Sequence, residues 1–90
     1  MVEDAEYAAF ARRVMRSLGK RASGDPESLP LLAAVATDAD AALTRAVVAC
    51  HDGGYSYAEI AARLGCSRQA VFQRVSRYRG EQTDHGSSTA

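Results

Sequence analysis

Apolar side chains recur along this chain at three- and four-residue steps, the repeat of a helix that buries one face. Tyr7, Phe10, Ala11, Val14, Met15 and Leu18 predict a first helix over residues 3–18, with Glu3, Asp4 and Glu6 at the positive end of its dipole. Residues 19–26, from Gly19 to Pro26, read as a flexible connection. Leu29, Leu32, Ala36, Ala39, Leu43, Ala46 and Cys50 then alternate in 3,4 spacing, which predicts a second, longer helix from Ser28 or Leu29 to His51. Pro30 fits its first turn, where no backbone N–H is needed. Thr37 to Asp40 has the form of a capping box that would restart this helix, but the unbroken apolar seam favours one continuous element.

After Asp52-Gly53-Gly54 the signals become denser. Ser56 and Glu59 have the spacing of a capping box, with Tyr55 and Ile60 placed as a hydrophobic staple. Gly65 supplies the left-handed residue that ends this third helix, and Ser67 caps a fourth, with Cys66 and Val71 as a second staple. Ala61 is small enough for a close crossing, and Ile60, Leu64, Val71, Val75 and Tyr78 form the inner faces. Two short helices joined by Gly65-Cys66-Ser67 make a helix-turn-helix. No run alternates as a strand does, so the expected fold is all-α: a small helical bundle with a C-terminal helix-turn-helix. The division expected is an N-terminal helix and connection over 1–26, a helix-turn-helix domain with its long supporting helix over 27–79, and a disordered polar tail over 80–90.

Composition narrows the functional classes. No apolar stretch approaches a membrane span, and Met1-Val2-Glu3-Asp4 lacks the order of a secretory signal, so a cytoplasmic location without membrane contact is expected. Cys50 and Cys66 fall in apolar helical patterns and read as reduced core residues. Together with His51 and His85 they lack paired ligand spacing, so neither a metal nor a cofactor is expected. No nucleophile with its base and no facing carboxylate pair is apparent, which argues against an enzyme.

The formal net charge is zero, but it is unevenly distributed. Residues 54–80 carry Arg63, Arg68, Arg74, Arg77 and Arg79 against Glu59 alone, whereas residues 26–53 hold Glu27, Asp38, Asp40 and Asp52 against Arg45. A local positive field suits double-stranded DNA. On the side of the fourth helix away from Val71 and Val75, Arg68, Gln69, Phe72, Gln73 and Ser76 are candidate base readers: Gln pairs with adenine, Arg with guanine, and Phe meets a thymine methyl. Ser67, Arg63, Arg74, Arg77 and Arg79 are candidate phosphate contacts, which hold register without reading sequence. Arg12, Arg13, Arg16, Lys20 and Arg21 on the first helix read as a solvated face.

Residues 59–71, Glu-Ile-Ala-Ala-Arg-Leu-Gly-Cys-Ser-Arg-Gln-Ala-Val, resemble the helix-turn-helix of the fourth region of bacterial sigma factors and of many small bacterial regulators. The resemblance covers residues 55–79 and implies that Ser67 to Arg79 is the recognition helix, with base readers between Ser67 and Ser76. The leading expectation is a sequence-specific DNA-binding regulator of a bacterial or mobile-element genome. A recombination or partition accessory factor would read DNA the same way, and a sigma-like fragment docking on RNA polymerase is the alternative from another class. A homodimer joined by the long helix, the first helix or both is also expected, because one such module covers little DNA.

Overall fold

The computed structural model describes residues 3–88, with side-chain surroundings through 82. Among these residues the chain is all-α and has no strand. Its elements are α1 (Asp4–Ser23), a single 3-10 turn (Pro26–Ser28), α2 (Leu29–Asp52), α3 (Tyr57–Leu64) and α4 (Arg68–Ser88). No helix among the described residues is long and apolar enough to cross a membrane. The contacts divide the chain into two compact units, 1–38 and 39–90, and the divide falls within α2. That helix runs without a break through Thr37–Asp40, as its apolar periodicity predicts.

In the first unit α1 extends past Leu18, through residues expected to be a flexible connection. Gly19 does not stop it, because the Ser23 hydroxyl donates to the Gly19 carbonyl at 2.8 Å and Ala22 is buried. The chain then turns at Gly24. Asp25 caps the following turn by accepting from the Glu27 backbone N–H at 3.1 Å and from the Ser28 hydroxyl at 3.2 Å. Tyr7, Phe10 and Val14 remain exposed along one side of α1.

The second unit holds the larger core, made by Val47 and Val48 of α2, Ile60 and Ala61 of α3, and Val71 and Val75 of α4. Tyr57 and Tyr78 pack on its margin. The face of α2 that enters this core is not the expected seam. Leu43, Ala46 and Cys50 are exposed, and the face used is Thr44, Val47, Val48 and His51. Its period is the same but it is rotated by roughly a quarter turn or more, at about 100° per residue. Leu64 is also exposed rather than inward; with Leu43, Cys66, Ala70, Val71 and Arg74 it lines an open hollow of about 260 Å³. Cys50 and Cys66 are free, as expected, but both are exposed rather than core residues.

At the C-terminal end α4 continues to Ser88, whereas the sequence places its end at Arg79 and a disordered tail over 80–90. Glycine at position 80 weakens a helix by about 1 kcal/mol relative to alanine but, unlike proline, removes no backbone donor. Glu81 and Gln82 are good helix formers and continue the ladder. Residues 89–90 of the expected tail lie outside the described residues, as does the His85 side chain.

Candidate nucleic-acid interface

The turn between α2 and α3 fixes where the site begins. Gly53 and Gly54 carry their N–H groups to the carbonyls of Ala49 and His51, and Tyr55 N–H reaches back to Cys50 O at 3.1 Å. Gly54 holds φ 113°, a conformation that side-chain-bearing residues rarely adopt. Helix α3 then starts on a reciprocal cap: Ser56 Oγ accepts from Glu59 N–H at 3.0 Å, and Glu59 Oε1 accepts from Ser56 N–H at 2.9 Å. These bonds favour the charged carboxylate and hold Glu59 below the ordinary glutamate range, the backbone bond from Ser56 contributing most.

Gly65, at φ 70° and ψ 31°, ends α3 in the left-handed conformation, and the N–H groups of Gly65 and Cys66 both point to Ala61 O. Ser67 opens α4 by accepting the Ala70 N–H on its hydroxyl at 3.0 Å. The result is a packed helix pair in which Ala61 of α3 is buried with Val71 and Val75 of α4, the last two only 2% and 1% exposed. Burial of this one stripe sets the rotation of α4 about its axis and so determines which side chains face outward.

The outward positions are Arg68, Gln69, Phe72, Gln73, Ser76 and Arg77, all exposed. Phe72 is 49% exposed, a large apolar ring within a polar face. With Tyr57, Arg68 and Gln69 it lines a hollow of about 280 Å³ near the start of α4. Phe72 is not isolated. The Tyr57 ring meets it edge-on at 5.7 Å and stacks on His51 at 4.0 Å, while His51 Nδ1 donates to the Tyr55 carbonyl at 2.9 Å. This line of rings ties the end of α2 and the start of α3 to the outer face of α4.

The candidate phosphate residues divide by their surroundings. Arg74 is turned inward: its Nη1 donates to Asp40 Oδ1 at 2.9 Å and to Thr44 Oγ1 at 2.6 Å. Arg79 Nη2 donates to Asp52 Oδ1 at 2.7 Å. Arg63 donates to the Glu59 carbonyl at 2.9 Å and lies over the Tyr55 ring at 5.8 Å. Among the described residues Arg68 and Arg77 form no ion pair, and both are exposed on α4. No cluster of His, Cys, Asp or Glu among the described residues has the arrangement of a metal site.

The sequence reading did not single out Val47, Val48 or Tyr57, nor the anchoring of Arg74 by Asp40 and Thr44. The available signal was the spacing of 44, 47, 48 and 51, which a purely hydrophobic count misses because Thr44 and His51 are polar. Tyr57 sits three residues before Ile60 on the same face of α3, a spacing that marks it as an inner position.

No curated protein and no solved structure matches this chain. Residues 33–85 match the homeodomain-like domain, a span that takes in most of α2, all of α3 and α4 as far as 85. A long helix, a capped short helix, a left-handed glycine turn and a second capped helix follow in the order of a helix-turn-helix. This chain therefore belongs to the homeodomain-like family of helix-turn-helix domains.

Proposed function

We propose that the protein is a sequence-specific DNA-binding regulator that reads the major groove with the N-terminal half of α4. One observation carries this reading: Arg68, Gln69, Phe72, Gln73, Ser76 and Arg77 are exposed on the same helix whose Val71 and Val75 are locked in the core. A rigidly docked helix whose outer face keeps its donors and acceptors available can meet base edges without reorganising. Gln69 and Gln73 are one turn apart, which suits bidentate contacts to neighbouring bases, and Phe72 between them suits a thymine methyl. Arg68 is placed for guanine at the helix start.

Arg77 is the principal phosphate contact in this reading, with Ser67 and Arg63 in support, while Arg79 is paired to Asp52. Arg74 serves mainly as an internal tie, because its guanidinium is engaged by Asp40 and Thr44. Selection of bound molecules from a pool of random duplexes tests the proposal. Enrichment of one motif is expected. Retention of duplexes without enrichment would reduce the activity to charge-driven binding, and no retention would remove the DNA reading.

A further inference from the structure

We infer that α1 is a self-association helix, through which two copies of this chain pair with their α1 helices antiparallel and crossing at Phe10. Tyr7, Phe10 and Val14, at 66%, 56% and 49% exposure, form an apolar stripe in steps of three and four along the helix. Between Tyr7 and Phe10 lies a hollow of about 520 Å³, bordered by Glu6, Ala9 and Arg13. The homeodomain-like match begins at residue 33, so α1 lies outside the matched span. A stripe of large apolar residues left in water on such a helix is a contact surface.

The charges beside the stripe specify the occupant. Glu6 and Arg13 are seven residues apart and lie along the same edge of the stripe, with Arg13 over the Phe10 ring at 5.8 Å. In an antiparallel helix pair, like edges face each other. Setting Phe10 against its own copy then places Tyr7 beside the partner's Val14, and Glu6 beside the partner's Arg13, on both sides of the two-fold axis. A parallel pair instead sets Glu6 against Ala11 and Arg13 against Leu18, with no ion pair gained. The same register brings the acidic first turn of each α1, with Asp4 and Glu6, near the partner's Arg13 and the partner's Arg16.

This inference does not depend on DNA, so its failure is separable from failure of the DNA-reading proposal. Sedimentation equilibrium of the full chain without DNA should give a reversible dimer. Glu6→Arg or Arg13→Glu alone should weaken it about tenfold, since two weak attractions become repulsions. The double reversal Glu6→Arg/Arg13→Glu should restore the wild-type constant. Phe10→Ala, at an exposed position, should weaken the dimer by a similar factor while leaving helical content by circular dichroism unchanged. A monomer up to about 1 mM would overturn the inference. So would a dimer indifferent to every one of these changes, or a double reversal that fails to recover.

Discussion

Arg74 of α4 and Asp40 of α2 lie 2.9 Å apart, nitrogen to oxygen, and Thr44 accepts from the same Arg74 nitrogen at 2.6 Å. Helix α4 is thereby tied to α2 on the side remote from its outer face. Because Asp40 is well exposed and Arg74 only partly buried, the strength of the ion pair should be modest, about 0.5 kcal/mol. A double-mutant cycle with Arg74→Ala and Asp40→Ala should give a coupling of that order in urea unfolding. Arg74→Ala should leave the salt dependence of DNA binding nearly unchanged, unlike removal of an arginine that contacts phosphate. A full unit lost from the slope would return Arg74 to the phosphate set.

The core makes a sharper demand. Val48 is buried against the helix pair, whereas Leu29, first in the expected seam, is exposed. Val48→Ala should cost about 2 kcal/mol, from lost transfer energy and an unfilled space. Leu29→Ala should cost under about 1 kcal/mol. Chemical denaturation of the two variants decides whether the face carrying Val48 or the leucine seam organises the fold.

This contrast also shows where the sequence was legible. The α3–turn–α4 segment could be read nearly residue by residue, because Ser56, Glu59, Gly65 and Ser67 act on backbone groups within a few residues of themselves. The outer face of α4 followed from the buried positions of Val71 and Val75. Which face of α2 docks was not legible, since two faces share one period and the choice depends on what α3 and α4 present. Polar Thr44 and His51 conceal the face that wins, and alanines make the losing face appear continuous. The inward turn of Arg74 likewise depends on Asp40, distant in sequence, and local charge counting assigns it to DNA.

The cap on α3 gives an acid-sensitive contribution. Ser56→Ala should destabilise the protein by about 1 kcal/mol. Glu59 is held below the ordinary value of 4.5, chiefly by the Ser56 backbone N–H, so folding favours its ionised form. Its contribution is therefore complete above the unfolded glutamate range and is lost as pH falls through the lowered folded value. Glu59→Gln should be less stable than the parent at neutral pH, with the gap closing in acid. A gap that is constant with pH would show that the charge of Glu59 is not what the cap uses.

Tyr57 should influence binding without touching a base. It holds Phe72 edge-on from behind, a contact worth about 1 kcal/mol beyond simple burial. Tyr57→Leu should lose about that much stability and relax preference at the base pair next to Phe72, leaving preferences opposite Gln73 intact. Comparison of selected motifs for the two proteins checks this. Identical motifs would mean that Phe72 does not need the ring behind it.

The central claim is that α4 separates reading from holding along one exposed face, and binding titrations of Gln73→Ala and Arg77→Ala test it most directly. Each variant is measured on the preferred duplex and on a scrambled duplex across a range of salt. Gln73→Ala should lose about 1 to 3 kcal/mol on the preferred duplex and almost nothing on the scrambled one, with the salt slope unchanged. Arg77→Ala should weaken both duplexes alike and reduce the slope by about one. Equal behaviour of the two variants, or no effect of either on any duplex, would contradict the assignment of this face.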